Sequence, residues 1–120
     1  MKIEGKAKAL AIYVGEFDHW HGKPLYAAII EKARDRGMAG VSATRGMMGF
    51  GANSRIHTTA ILRFSEDLPV VIQVFDTPER IELFLTDVEE MVDEGLVVTW
   101  DVDVVQYVHS NKQIPAGTAL

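Results

Sequence analysis

Val70–Met91 reads VVIQVFDTPERIELFLTDVEEM, and the fold turns on this stretch. Its first six residues are mostly β-branched or aromatic, side chains that pack well on a pleated surface, and they predict a strand over Val70–Phe75. Asp76-Thr77-Pro78-Glu79 ends that strand and opens a helix. Asp or Thr can cap the free first-turn amides, proline is at home at the first helical position, and an acid suits the positive end of the helix dipole. Ile81, Phe84, Leu85, Val88, Met91 and Val92 then fall at the spacing of one apolar stripe, which predicts an amphipathic helix ending at Gly95.

Outward from this unit the same alternation of strand and helix recurs. Leu96–Val108 sets Trp100, Val102 and Val104 against Asp101 and Asp103, the period of two of a final strand. Toward the N-terminus, Leu10, Ile12 and Val14 point one way and Ala9, Ala11 and Tyr13 the other. Pro24 opens a first helix with Leu25, Ala28, Ile29 and Ala33 as its stripe, and Gly37 closes it. A short strand is expected from Gly40 to Arg45, and His57–Phe64 has some strand character. The order β-α-β-β-α-β predicts an α+β, ferredoxin-like domain: a four-stranded antiparallel sheet with two helices on one face. Ala9, Ala11, Tyr13, Val71 and Phe75 would make the other face apolar as well, and a second copy of the chain is the simplest cover, so a homo-oligomer is expected.

The bulk numbers bound the function. A chain of 120 residues makes one domain. A net charge of −5 argues against a dedicated nucleic-acid binder, which needs a basic surface to displace phosphate counterions. Without cysteine there is no disulfide framework, thiolate metal site or thiol nucleophile, in keeping with a cytoplasmic setting. The N-terminal MKIEGKAKAL lacks the apolar core of a secretion signal, and no apolar run approaches the ~20 residues of a membrane helix, so no membrane insertion is expected.

The chemistry-bearing stretch is Thr44–His57, TRGMMGFGANSRIH, which lies between two predicted strands. Glycines at 49 and 51 let backbone amides approach a ligand, while Arg45 and Arg55 can fork onto an anion. No Gly-Lys-Ser/Thr follows, so this is not a P-loop. A second candidate is GEFDHWHG at Gly15–Gly22, where Asp18, His19 and His21, joined by His57, are metal-ligand types. More simply, the same loop packs Trp20 and caps the following helix. Asp87, Glu89, Glu90, Asp93 and Glu94 read as a solvated acidic face. No nucleophile, base and orienting group converge, so the expectation is a binding protein rather than an enzyme.

Four blocks in order, GKAKAL at Gly5–Leu10, HGKPLY at His21–Tyr26, RGMMGFGANSRIHT at Arg45–Thr58 and SEDLPVVIQVFD at Ser65–Asp76, resemble the PII-like family known as domain of unknown function 190. The short polar tail at 110–120, with Pro115 and Gly117, is expected to be flexible on its own composition. The resemblance implies a PII-like domain over residues 1–109, with a long effector loop at about 44–64. It implies a homotrimer with inward-facing sheets, a small ligand such as an adenine nucleotide between subunits, and signalling through the loop to a partner, often a membrane transporter. The residues matching the family's ligand grip are Gly40 and Ser42 at the opening of strand two, and Gly49, Phe50 and Gly51 at the loop base, with Arg45 and Arg55 beside them. Two departures stand out. Asp93-Glu94-Gly95-Leu96 is acidic where PII proteins carry a phosphate loop, and Tyr107 and His109 fall near the place of two phosphate-clamping arginines. Both disfavour a polyphosphate at short range. Related trimers are linked to metal tolerance, which makes the Asp18, His19, His21 loop the alternative site.

Overall fold

A computed structural model of the chain describes residues 2–46, 48–50, 56–58 and 68–108. Four long strands, β1 (Lys2–Gly15), β2 (Val41–Arg45), β3 (Pro69–Asp76) and β4 (Leu96–Val108), form one sheet in the order β2-β3-β1-β4. Every neighbouring pair is antiparallel. Helix α1 (Leu25–Asp35) joins β1 to β2, and α2 (Pro78–Met91) joins β3 to β4. This is the ferredoxin-like arrangement expected from the element order.

Both helices lie on the same face. Leu10, Ile12 and Val14 of β1 and Val70, Ile72 and Val74 of β3 meet Leu25, Ala28, Ile29 and Ala33 of α1 and Ile81, Phe84, Val88 and Met91 of α2 in one buried cluster. The helix ends follow their local chemistry. Gly37 takes a φ of 69°, the Met38 amide donates to the Ala33 carbonyl and the Gly37 amide to the Arg34 carbonyl, the paired bonds of a Schellman ending. At the start of α2, Thr77 is the cap and its hydroxyl accepts from the Arg80 amide at 3.4 Å.

Three expectations need correction. Pro24 is not inside α1: it precedes the helix at ψ 131° and ends a two-residue ribbon, His19–Trp20 paired with Lys23–Pro24. Helix α2 ends at Met91 rather than Gly95, because Val92 is already extended, with ψ 108°. Asp87 is buried, not part of a solvated face. Its two oxygens accept from Arg36 Nε and Nη2, each at 2.8 Å, so the acid on α2 ties down the end of α1.

Beyond the last pairing of β3, Lys8 with Asp76, strands β1 and β4 continue together as a two-stranded ribbon. A register shift between Ile3 and Gly5, with Gly5 at φ 83°, puts a bulge in that ribbon. Bulges sharpen twist and re-aim side chains. Here Tyr107 faces the same way as Val104, and its hydroxyl donates to the Ala39 carbonyl at 2.6 Å, just ahead of β2. Strands β4 and β2 are separated by β1 and β3, about 14 Å at ordinary strand spacing, so only a coiled ribbon brings Tyr107 there.

Candidate functional site

The long β2–β3 connection leaves and re-enters the sheet at one pinned point. The Gly46 amide donates to the Pro69 carbonyl at 2.6 Å, and the Glu16 amide to the Leu68 carbonyl at 2.7 Å. A Cβ on Gly46 would lie 2.6 Å from Pro69 Cγ, so the close approach of the two stems requires glycine there. Arg45, the last residue of β2, pairs with Glu16 across 3.5 Å. Beyond it, Met48–Phe50 pairs antiparallel with Ile56–Thr58, which sets Gly49 opposite His57 and Phe50 opposite Ile56. Gly51 and Arg55, both expected at the site, lie outside the described residues, as does most of the expected 44–64 loop and the tail at 110–120.

Gly40 and Ser42 occupy the other end of β2. Ser42 is exposed and shares the open face with Gln73, its register partner. Arg45 instead pairs with Val70, whose side chain lies in the helix-side core. Within one chain, therefore, the expected ligand residues divide into two groups at opposite ends of β2: Gly40 with Ser42, and Arg45 with the Gly49-Phe50 base.

Around Gly40 the polar groups are closely accounted for. The Ala39 amide donates to Asp76 Oδ2 at 2.8 Å, the Thr77 amide to Asp76 Oδ1 at 2.7 Å, and Arg80 Nε lies 3.1 Å from Asp76 Oδ1. Arg80 Nη2 also donates to the Gly37 carbonyl. The fully buried Asp76 carboxylate thus fixes the α1–β2 turn to the start of α2. Beside it, Phe75, Asp76, Val104, Gln106 and Tyr107 line a half-open pocket of about 200 Å³. Alternation alone would have placed Tyr107 on the opposite face; the bulge at Gly5 is what turns it, and no local sequence pattern announces that bulge.

The open face of the sheet is apolar over β1, the adjoining part of β4 and Phe75 of β3, and polar at the β2 side, where Ser42 and Gln73 meet. Buried Ala7, Ala9 and Ala11 run down β1, and Ala9 sits between Phe75 and Trp100 in register. Tyr13, Phe75, Leu96 and Trp100 remain 41–53% exposed. No described element covers them.

The GEFDHWHG loop resolves into local interactions. Asp18 Oδ2 accepts from the Gly15 amide at 2.9 Å, and His19 Nδ1 donates to the Phe17 carbonyl at 2.6 Å, which sets its tautomer. His21, at φ 51°, stacks its ring on Trp20 with centroids 3.8 Å apart. Among the described residues no three His, Cys, Asp or Glu side chains gather as a metal site, and the His57 side chain lies outside what is described. The acidic Asp93 and Glu94 are exposed in the α2–β4 turn, at the same end of the sheet as Arg45.

No helix among the described residues is long and apolar enough to cross a membrane. Among solved structures, the chain is similar to CPII, a nitrogen regulatory PII-like protein from Thiomonas intermedia K12 bound to ADP, AMP and bicarbonate, with a TM-score of 0.63, 16% identity and coverage of 82% of this chain and 88% of that one. It is also similar to the divalent ion tolerance protein CutA1 of Ehrlichia chaffeensis, with a TM-score of 0.56, 10% identity and 82% coverage of each chain. At such identities the likeness establishes a PII-like, ferredoxin-like fold. Sequence relatives are nearer. A UPF0166 protein of Aquifex aeolicus is 32% identical over 100 residues, covering 83% of this chain and 94% of its own, and a UPF0166 protein of Methanocaldococcus jannaschii is 32% identical over 82% and 92%. The model of the DUF190 family, described as an uncharacterized ACR, matches residues 7–104, and with these relatives it makes the chain a member of that family.

Proposed function

We propose that this protein is a non-enzymatic, PII-like regulatory module of the cytoplasm. It assembles as a homotrimer through the open sheet face, binds a small anionic ligand between subunits, and signals through the 44–64 loop to a partner such as a membrane transporter. The observation that carries the reading is the open face itself. Tyr13, Phe75, Leu96 and Trp100 form a wide apolar surface beneath a row of alanines, opposite a face already filled by both helices. Soluble monomers rarely leave such a patch uncovered.

Ligand contacts fall to Gly40, Ser42, Arg45, Gly49, Phe50, Gly51 and Arg55, with an adenine nucleotide as the leading candidate. Arg45 is the described cation at the loop base, and its partner Glu16 is already an acid, so an incoming anion competes for it. Exposed Asp93 and Glu94 at the same end of the sheet repel additional phosphates, which favours AMP or ADP over ATP. Ligand binding would shift the loop between two states that the partner distinguishes.

Calorimetry of the purified protein against AMP, ADP and ATP, with its mass determined by light scattering, tests this. A trimer that binds AMP or ADP more tightly than ATP, and loses that binding in Arg45→Ala while staying trimeric, supports it. A monomer, or a trimer that binds none of the three, refutes it.

A further inference from the structure

We infer that Glu16 is an internal competitor for Arg45: its carboxylate holds the place of an external anion, and while it does so the ion pair straps the end of β2 across the start of β3. The competition rests on the reading above, in which Arg45 meets the anion. The strap belongs to the free protein and does not.

The strap has a fixed half and a movable half. Glu16 follows β1, which is paired on both sides. Its turn is held by the Asp18 amide on the Gly15 carbonyl, the Gly15 amide on Asp18 Oδ2, and the Leu25 amide of α1 on the Asp18 carbonyl. Leu68 is buried and its carbonyl accepts from the Glu16 amide, so side chain and backbone both fasten the returning stem. The outgoing stem has less. Arg45 ends a five-residue edge strand, and Pro69 has no N–H to offer it. The Gly46 amide on the Pro69 carbonyl is the last described backbone tie from the end of β2 to β3. Strand β3 lies between β1 and β2, so Glu16 and Arg45 stand on either side of it, roughly 10 Å apart at ordinary strand spacing. Two long side chains reaching over the start of β3 join them.

The contact is suited to exchange. Arg45 Nη1 lies 3.5 Å from Glu16 Oε2, a looser meeting than the two 2.8 Å bonds by which Arg36 forks onto Asp87. The Arg45 side chain is 58% exposed and that of Glu16 21%, so the cation is reachable from solvent while the acid stays seated. Ion pairs this exposed contribute little, and a phosphate that engages the guanidinium fork through two donors displaces a contact made through one nitrogen. When an anion takes Arg45, Glu16 keeps its backbone bond to Leu68, and only the end of β2 is freed.

Amide hydrogen exchange followed by NMR on the free full chain reads the strap, and titration calorimetry with AMP reads the competition. Glu16→Gln, which keeps the size of the side chain and the backbone bond, should speed exchange of the Gly46 amide roughly two- to fivefold, the span of an exposed ion pair, and tighten AMP binding by a similar factor. Arg45→Ala should speed the same amide, and the double variant should go no further than either single one, because the two changes remove one interaction. Asp93→Asn, which removes a charge at the same end of the sheet, should leave Gly46 exchange as in wild type. In wild type, raising salt from ~0.01 to ~0.5 M should screen the pair and speed Gly46 but not Ala39, whose amide is held by the buried Asp76. Unchanged Gly46 exchange in Glu16→Gln, or in wild type at high salt, overturns the strap whatever AMP does. Weaker AMP binding in Glu16→Gln overturns the competition. If the exchange results hold and wild type binds no AMP, the strap stands and the nucleotide reading falls.

Discussion

Replacing Trp100 by aspartate is the sharpest test of what the open face does. Trp100 is 41% exposed in the single chain and stands on the far side of Ala9 from Phe75, near the middle of the apolar face. An aromatic side chain has ~150–250 Å² to bury, so roughly 60–100 Å² of it is available to a neighbour. At about 25 cal/mol per Å² that is about 1.5–2.5 kcal/mol for each copy, before any penalty for placing a carboxylate against apolar surface. A trimer loses the contribution three times, on the order of 6 kcal/mol, which weakens assembly about 10⁴-fold. The fold itself should survive, because Trp100 is outside the cluster of Leu10, Ile72 and Phe84 under the helices. Sedimentation velocity across a concentration series, beside far-UV circular dichroism, reads both effects. Wild type should stay assembled at low micromolar concentration, and Trp100→Asp should be a folded monomer. A variant that remains assembled at the wild-type concentration shows that this face is not the interface, and the trimeric reading loses its support.

Two further predictions concern stability. A Cβ on Gly95 would sit 2.5 Å from the Tyr13 carbonyl oxygen, a backbone atom that cannot step aside, whereas one on Gly40 meets nothing within 4 Å. Gly95→Ala should therefore cost about 1–3 kcal/mol, a Tm drop of several degrees, while Gly40→Ala melts like wild type, as a thermal scan will show. The Glu31 carboxyl is held below its usual 4.5, first by the hydrogen bond from Lys23 and then by that lysine's charge. A depressed folded value stabilises the protein above the unfolded value, and that contribution vanishes as pH falls through the folded one. Glu31→Gln should be slightly less stable than wild type at neutral pH and equal to it at the acid end of a denaturant series; a gap that persists in acid contradicts this.

What could be read ahead of the structure was whatever depends on neighbours in sequence. The Leu10-Ile12-Val14 alternation, the Asp-or-Thr cap, which Thr77 fills, and the Gly37 ending each need only a few adjacent residues, and each holds. What the sequence hid most completely depends on distant partners. Asp87 looked solvated among its acidic neighbours, but it meets Arg36, 51 positions away, and pairing is what makes a buried carboxylate tolerable. Tyr107 belongs to the open face only because one extra residue in β4 inverts the alternation beyond Gly5, and it finds Ala39 from 68 positions away. Glu16 gave no sign of its place beside Arg45 until β1 and β2 were set on either side of β3.

The division of the candidate ligand residues has a consequence for how such a module can work. Ser42 looks toward the open face beside Gln73, while Arg45 leaves from the register of core-facing Val70. A compact ligand lying flat on one chain cannot reach both. The two groups are reconciled only if the ligand wraps the outer edge of β2, and a ligand on an exposed edge is held firmly when something closes that edge from outside. Among the described residues, β2 is one edge of the sheet and β4 is the other. In a closed ring of copies, a neighbouring copy can close the β2 edge. On the trimeric reading, ligand binding, assembly and the state of the loop thus converge on β2, a strand of only five residues. Its shortness suits that role: a short edge strand with few ladder bonds is easier to shift than the long β1–β4 pair, so a ligand with modest differential affinity is enough to bias it.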